Sequence, residues 1–421
     1  MLAYIPFIYF TLWLILHLIN PKMRFGAGAM SLIWIDISAL FSIILDARNL
    51  YGEWGCNDYA LSFSGIALYC LLWTVVLFPL TQLDKKELTI SITKEKLFSF
   101  LCVFLIICTA IYIIATGAFT NIMEKLSMAR HEAYSDSMDM SKIYKGKGQF
   151  LLWIPLVISN SWPLLLLCWF VSFCVCVQSF WIRIGLLISS LFMMISAFAA
   201  GGRAQLVWWI VTFIIYFFLF LPNMSKQQKI IGFGMSICAG MGIIIGLLAI
   251  TLSRFDSSVK DYALNSIIGY AGQSLNNFCA VLPYTDIFHI YLDRTFPLTN
   301  LLLHHQIYNL HEYYNILASH YPIQVNVFFT VFGCLLMDIG WIGMILYLLL
   351  YILIFYRIIY SSNPHINMSQ LSILALLFCF PVRGIFGFPF AGHLNTLYIL
   401  FSIGLYFVFK YYIKYGNKKI I

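Results

Sequence analysis

The sequence predicts an all-α membrane protein that crosses the bilayer many times, and three observations support this fold class. Of the 421 residues, 62% are hydrophobic and only 10% are charged, and the mean hydropathy is +0.87. Soluble proteins have about 45–50% apolar and about 25% charged residues, and a soluble chain of this length could not keep so many apolar side chains from water. The apolar residues also come in long runs. These observations exclude a cytosolic enzyme, a secreted module and a disordered protein.

A helix that spans a membrane needs about 20 mainly apolar residues. Eleven stretches meet this requirement: 2–20, 27–46, 60–82, 97–117, 150–177, 184–200, 204–221, 230–252, 328–360, 371–388 and 394–412. In the fifth stretch, Pro155 and Pro163 predict a kink or a re-entrant start. The ninth stretch is longer than a bilayer is thick, so we expect its first part, before Asp338, to lie at the surface or to dip into the membrane.

The lysines and arginines predict the orientation, because the face that carries more of them is cytoplasmic. With eleven spans, one face collects fourteen of these cations against three acids, Asp84, Glu87 and Glu95. The amino terminus is then outside and the carboxyl terminus is cytoplasmic. This topology explains the net charge of +8, and nucleic acid is not an expected partner.

The chain divides into three parts: residues 1–252 carry the first eight spans, residues 253–325 form a large outer loop, and residues 326–421 carry the last three spans. Two stretches of the outer loop, "DYALNSIIGYAGQSLNNFCAVL" and "LTNLLLHHQIYNLHEYYNILASHY", have the pattern of amphipathic helices that lie on a membrane face. The cytoplasmic connections are short, so we expect the functional machinery on the outer side. The sequence has no internal repeat, which argues against the inverted-repeat class of transporters.

Motifs for nucleotide, zinc or calcium binding are missing from the sequence, and no cofactor or metal is predicted. Nine of the eleven cysteines lie in apolar runs, where cysteine behaves as a small buried hydrophobe. Cys56 and Cys279 lie in predicted polar loops and could pair with each other.

Arg203 is the first candidate for a site residue. It stands in "SAFAAGGRAQL", where two apolar runs meet with almost no loop between them, on the predicted outer surface. Gly201 and Gly202 allow a tight turn there, and the planar fork of an arginine suits bidentate phosphate binding. The alternative is a positive helix flank that contacts lipid headgroups.

Two further arginines are candidates at the predicted outer border. Arg254 opens the long outer loop, and its alternative is a helix flank neutralised by Asp256. Arg383 lies inside the apolar run "FCFPVRGIFGFPF", where an arginine costs about 2.5–3.5 kcal/mol and usually faces a cavity or a partner. Its alternative is a structural pair with Asp36, the only acid deep inside a predicted span.

Polar residues at the end of the outer loop are the next candidates. Asn326, Thr330 and Asp338 interrupt the apolar stretch "NVFFTVFGCLLMDIGWIG". Asp338 either caps the ninth helix or faces an outer cavity. The outer loop also carries five histidines without an i, i+4 pair, so one of them is a candidate general base and a metal site is not expected. They are His289, His304, His305, His311 and His320.

These features resemble the Wzy-type O-antigen and oligosaccharide repeat-unit polymerases of bacterial envelopes. The resemblance rests on "AGGRAQL", "GYAGQSLNN" and "NVFFT…MDIGWIG" in this order, and it covers about residues 115–360. The overall length and the order of the outer loops agree as well. An arginine followed by glycine eleven positions later, a signature of some members, is not found from Arg203 or Arg254.

The resemblance implies a GT-C-like glycosyltransferase of the inner membrane that works without metal or ATP. A growing glycan on undecaprenyl pyrophosphate would pass to the hydroxyl of a new lipid-linked repeat unit. Arg203, Arg254 and Arg383 would then stabilise the departing pyrophosphate.

The same resemblance supplies the remaining roles. His304, His305 or Asp338 would accept the hydroxyl proton. Sugar contacts would come from the polar residues of the outer loop and its end, namely Tyr270, Asn276, Asn277, Asn326 and Thr330. Expected partners are the lipid-linked donor and acceptor glycans, membrane lipids and a chain-length regulator protein. An O-antigen ligase and a transporter of lipid-linked oligosaccharide stay open as alternatives.

Overall fold

The computed structural model describes residues 1–53, 55–85, 88–92, 95–115, 150–176, 178–199, 204–252, 260–285, 295, 310–360, 365–391 and 393–416. Within these residues the chain is almost entirely helical, which confirms the all-α class. The first eight α-helices are α1 (Tyr4–Ile19), α2 (Ala27–Ala47), α3 (Phe63–Thr81), α4 (Glu95–Ala115), α5 (Phe150–Asn160), α6 (Trp162–Cys174), α7 (Phe180–Ala199) and α8 (Ala204–Phe220). The others are α9 (Lys226–Leu252), α10 (Lys260–Val281), α11 (Leu310–His320), α12 (Thr330–Ile354), α13 (Met368–Arg383) and α14 (His393–Gly416).

Short elements complete these helices. Single 3-10 turns follow α3, α8 and α10 at Gln82–Lys85, Leu221–Asn223 and Leu282–Tyr284, and a π-turn at Phe355–Ile359 extends α12. Strands β1 (Thr89–Ser91) and β2 (His365–Asn367) form a parallel pair.

Five of the described helices are long and apolar enough to cross a membrane, and α5 and α6 make a sixth span if they are counted together. The five are Ala27–Ala47, Phe63–Lys85, Glu95–Ala115, Ala204–Asn223 and Thr330–Ile359. The chain is therefore a polytopic membrane protein. Helices occupy all eleven predicted stretches, but length and composition support five or six spans among the described residues, and eleven stays a prediction.

The predicted break in the fifth stretch is confirmed. Helices α5 and α6 meet at an angle of 70°, with Ser161 between them and Pro163 in the first turn of α6. Proline favours this position because it lacks the N–H that a continuous helix would need there.

Helix α12 is also interrupted, at Gly340, whose φ of 65° and ψ of −173° are non-helical. Only glycine adopts this conformation readily. Residues 329–338, before the break, are all buried. The first part of this stretch is therefore packed inside the protein, and its depth in the membrane stays a prediction.

The described chain forms two compact units, each built from separate pieces of sequence. One unit contains Met1–Glu87, Leu248–Pro364 and Leu376–Thr396, and the other contains Leu88–Leu247, His365–Ala375 and Leu397–Ile421. These units do not follow the predicted division at residues 252 and 325, which describes the order of spans along the chain.

In the first unit, α10 packs along α2. The Oγ atoms of Ser38 and Ser42 donate to the carbonyls of Ala271 and Gly272 at 3.2 and 2.8 Å. A Cβ on Gly272 would lie 2.5 Å from the carbonyl oxygen of Phe41, so only glycine permits this approach. Residues 272–281 are all buried. The buried half of this helix therefore packs inside the protein, and its place on the membrane face stays a prediction.

In the second unit, the pair of strands is fixed by Asn223. Its Oδ1 accepts from Ile90 N at 3.2 Å and its Nδ2 donates to Leu88 O at 2.9 Å. The core of this unit is formed by α6, whose residues 162–173 are buried, and by aromatic rings of α8 such as Phe213, which lies 5.1 Å from Phe170.

Candidate functional site

The predicted site residues fall into two groups. Arg203, Arg254, His304 and His305 lie outside the described residues. The others are described and belong to the first compact unit: Tyr270, Asn276, Asn277, Asn326, Thr330, Asp338 and Arg383. The site is built from this second group.

Arg383 is the last residue of α13 and is only 4% exposed. Its Nη1 donates to Pro389 O at 3.2 Å and to Asn395 Oδ1 at 3.4 Å. The turn around it is tight, because Gly384 N bonds Phe380 O at 2.8 Å and a Cβ on Gly384 would collide with that oxygen. The guanidinium is thus held under a compact turn at the end of an apolar helix.

The predicted alternative partner of Arg383 is engaged elsewhere. Asp36 Oδ2 accepts from Thr11 Oγ1 on α1 at 3.0 Å. Its Oδ1 is buried without a hydrogen-bond partner. The described contacts of Asp36 therefore go to the amino-terminal helix.

A row of aromatic rings borders the Arg383 turn, and only Tyr270 among them was a predicted site residue. Phe386 lies 5.1 Å from Phe328 and 6.4 Å from Trp34, between ring centroids. Phe328 lies 5.3 Å from Tyr270. Trp34 Nε1 donates to Val382 O at 3.2 Å, which ties the row to the end of α13. We call Trp34, Tyr270, Phe328 and Phe386 the aromatic row.

The aromatic row is partly open at one end. Tyr270 is 44% exposed, and the other three rings are half-buried. Asn326, two residues from Phe328, is exposed. Partly exposed aromatic faces with a nearby polar group can hold an amphipathic ligand, since the ring faces bind apolar surface and the amide offers hydrogen bonds.

Asn276 fixes the connection between α2 and α3. Its Oδ1 accepts from Ala60 N at 2.9 Å, and its Nδ2 donates to the carbonyls of Asn57 and Asp58 at 2.9 and 3.1 Å. The same Nδ2 contacts Cys56 Sγ at 3.4 Å. Asn276 is 2% exposed, so its amide positions this loop and offers no free group to a sugar.

Asn277 holds the same loop from the next position. Its Oδ1 accepts from the backbone N of Asn57 at 2.8 Å and from Asn57 Nδ2 at 3.1 Å. Its Nδ2 donates to Gly55 O at 3.1 Å and to Gln273 Oε1 at 3.0 Å. With 0% exposure, Asn277 is also a positioning residue. We call these contacts of Asn276 and Asn277 the asparagine clamp.

The asparagine clamp extends to the chain before α12. Asn57 Oδ1 accepts from Gln324 N at 2.7 Å, and Gln273 Oε1 accepts from Phe328 N at 3.3 Å. The backbone that carries Asn326 and Phe328 is therefore fixed by the clamp.

Asp338 is 0% exposed and receives two hydrogen bonds from Thr295. Its Oδ2 accepts from Thr295 N at 2.8 Å and also from the Thr295 hydroxyl. Burial, together with the negative charge of Asp338, raises the pKa of Tyr321 to about 12. The carboxylate thus binds Thr295 of the connection between α10 and α11, and it does not cap the start of α12, which lies eight residues earlier at Thr330.

Thr330 stands at the beginning of α12 with a φ of 69°, an uncommon value for a β-branched residue. It is 0% exposed, and its Oγ1 accepts from Gly333 N at 3.4 Å. The hydroxyl is therefore engaged in the first turn of the helix.

A buried acid–base pair lies at the start of α2. The Asp84 carboxylate accepts from Gly28 N at 3.1 Å and Ala29 N at 2.7 Å, and its Oδ2 lies 3.2 Å from His17 Nε2. Gly26 and Gly28 leave no room for a Cβ beside it. The favourable interaction of a carboxylate with helix N-terminal amides explains the arrangement, and the sequence signal was the "GAG" just before an apolar run.

The two cysteines that could pair are free thiols. Burial raises the pKa of the Cys56 thiol to about 12 and that of Cys279 to about 11. Both therefore behave as buried hydrophobes, as the other cysteines were predicted to do.

Comparison with known proteins gives no relative for this chain: no protein-family model, no curated protein and no solved structure matches it.

Proposed function

We propose that the protein polymerises lipid-linked oligosaccharide repeat units on the outer face of a bacterial inner membrane. The observation that carries the proposal is Arg383, an arginine buried at the end of an apolar helix beside the aromatic row. Arginine inside a membrane protein is costly, and it is usually retained for function. The resemblance of three motifs to Wzy-type polymerases supplies the substrate class.

The reaction needs positive charge and a base. The acceptor hydroxyl attacks the anomeric carbon at the reducing end of the donor glycan. The bond from that carbon to the pyrophosphate oxygen breaks, and undecaprenyl pyrophosphate leaves with the electron pair. Arg203, Arg254 and Arg383 offset the charge that grows on the pyrophosphate, and His304 or His305 accepts the hydroxyl proton.

The described residues can serve this chemistry in two ways, by contacting the ligand and by positioning the residues that contact it. The aromatic row offers ring faces to a sugar or to the isoprenoid chain, and Asn326 offers an exposed amide beside it. The asparagine clamp fixes the backbone on which Asn326 and Phe328 stand. Rigid support of this kind favours transfer, because a well-oriented pair of reactants has already lost its freedom of motion.

Reconstitution tests the proposal. The purified protein in proteoliposomes is given undecaprenyl-pyrophosphate-linked repeat units, and the products are separated by length. A ladder of lengths is expected from the wild type. Arg203→Ala should abolish it and Arg203→Lys should lower turnover about a hundredfold, since lysine is a point charge without the bidentate fork.

A matched control and three other outcomes make the test decisive. Arg48→Lys makes the same change at another arginine, which is exposed and bonded to Asn265, and should keep the full ladder. A full ladder from Arg203→Lys would reduce Arg203 to a helix flank and leave the phosphate site to Arg254 and Arg383. Transfer to a lipid A core without a ladder would indicate a ligase, and movement of the lipid-linked unit across the bilayer without covalent change would indicate a transporter.

The proposal also requires an orientation. A reporter that is active only outside the cytoplasm should give signal when fused after Tyr284 and none when fused after Lys419. The reverse result would contradict the proposal, because the lipid-linked donor would lie on the wrong side. With the predicted orientation, a chain-length regulator protein in the same membrane is the expected partner.

A further inference from the structure

Two contacts join the outer segment between α10 and α11 to the break in α12. Asp338 lies two residues before Gly340 and binds the backbone N–H and the hydroxyl of Thr295. Trp341 lies one residue after Gly340, and its Nε1 donates to Thr285 Oγ1 at 3.0 Å. Residues 285 and 295 therefore reach α12 at positions only three residues apart.

The Asp338 contact is the stronger of the two. Asp338 and Thr295 are both 0% exposed, and a buried carboxylate is stable only when donors compensate for lost water. Hydrogen bonds to an ionised acceptor are also stronger than neutral ones. Thr295 is well suited to this task because it offers a backbone donor and a hydroxyl donor to one oxygen.

We infer that Asp338 is a positioning residue, which anchors the chain between α10 and α11 at Thr295 through its paired hydrogen bond to that residue. A general base must reach the substrate proton with a free lone pair, whereas the Asp338 oxygen that faces Thr295 already accepts two donors. The consequence for turnover rests on the proposed function. The anchor itself does not, and it can be tested without substrate.

Trypsin provides the direct test. Arg294 is the only Lys or Arg between Lys260 and Arg357, and the bond that trypsin would cut joins Arg294 to Thr295. The amide nitrogen of that bond is the one that donates to Asp338. In the purified full-length protein, cleavage is measured as the new amino terminus at Thr295 by mass spectrometry. Each rate is divided by the rate on a peptide of residues 288–300 with the same substitution.

The expected order of rates follows from the donors that remain. Cleavage of the wild type should be slow, and Asp338→Ala should raise it at least about tenfold, because cleavage follows the population of the released form. Thr295→Val keeps the N–H and should be intermediate. Thr295→Ser keeps both donors and should match the wild type, as should Asn326→Ala, a change at an exposed residue.

The second readout is turnover in the polymerisation assay. Thr295→Val should lower kcat with little change in KM, whereas Thr295→Ser, which keeps the hydroxyl, should have the kcat of the wild type. A general loss of packing would not distinguish the two variants in this way. Equal cleavage at Arg294 in the wild type, Asp338→Ala and Thr295→Val overturns the anchor. If the order of cleavage rates holds but the wild type makes no polymer, the anchor stands and the proposed function fails. If the Asp338→Ala protein does not accumulate, the cleavage rates of Thr295→Val and Thr295→Ser test the anchor by themselves.

Discussion

Asn277→Ala is expected to loosen the loop between α2 and α3 and to lower the stability of the first compact unit. The substitution removes four hydrogen bonds, to Asn57 N, Asn57 Nδ2, Gly55 O and Gln273 Oε1. Asn57 Nδ2 retains Gln324 O at 3.3 Å, and Gln273 Oε1 retains Phe328 N. The Asn57 N–H, in a residue that is 5% exposed, loses the acceptor that the clamp provides.

The magnitude follows from these losses. An unsatisfied buried donor costs about 1–3 kcal/mol, and each ordinary hydrogen bond adds about 0.5–1.5 kcal/mol. Because Gly55 is half-buried, water can replace part of its loss. The sum is about 2–5 kcal/mol, which should lower the apparent Tm in detergent by about 5 °C or more. Asn326→Ala removes the same amide from an exposed position and should change stability by less than about 0.5 kcal/mol.

Thiol labelling gives a second readout at the same place. Cys56 is 0% exposed, and burial raises the pKa of its thiol to about 12. At pH 8 almost none of it is the reactive thiolate. Release of the loop in Asn277→Ala should return the pKa towards its ordinary value, so maleimide labelling of the Cys56 peptide should rise. An unchanged Tm together with unchanged labelling would refute the role of the asparagine clamp.

Three further outcomes are expected. Gly272→Ala should lower the apparent Tm because its Cβ would meet the backbone of α2, whereas Gly234→Ala, with nothing within 4 Å, should leave it unchanged or raise it; equal shifts would contradict the close packing. Asp84→Ala should destabilise by about 2–4 kcal/mol, because the two amides at the start of α2 lose a charged acceptor, and Asp58→Ala, at an exposed residue, should have little effect on the same melting curve. In the native wild type, Cys56 should resist maleimide from pH 7 to pH 9 and label only after unfolding; labelling that tracks an ordinary thiol pKa would show that the loop is open.

Hydropathy was sufficient to predict the helices, because apolar runs of membrane length have few alternatives to a helix. It did not predict the partners of α10, whose serines, asparagines and glutamine give it an amphipathic pattern. Ser274, Asn276 and Asn277 bond to chain more than two hundred residues away, at Ser38 and at residues 55–60. A composition pattern carries no information about such distant partners. The small residue Gly272 among polar ones was the available signal, since close helix packing in membranes uses this combination.

The candidate site was predicted only in outline. Arg383 stood out because a charge inside an apolar run is rare, and the structure buries it in a tight turn. Asn276 and Asn277 were candidates only through the resemblance to Wzy-type polymerases, and their amides bond within the protein. Trp34 and Phe386 could not be singled out from the sequence, because aromatic residues make up 18% of the chain. Which of them lie next to each other depends on the tertiary structure.

The break at Gly340 leaves α12 in two different surroundings. Before it, residues 329–338 touch only protein. After it, large side chains face outward, with Ile342 77%, Leu346 61% and Leu353 60% exposed. Lipid accepts any apolar shape, whereas a packed interior responds to a single methylene. The sequences of the two halves of α12 should therefore change at different rates during evolution. The outward positions can exchange Ile, Leu, Val and Phe freely. The buried half should keep its residues or change them in compensating pairs.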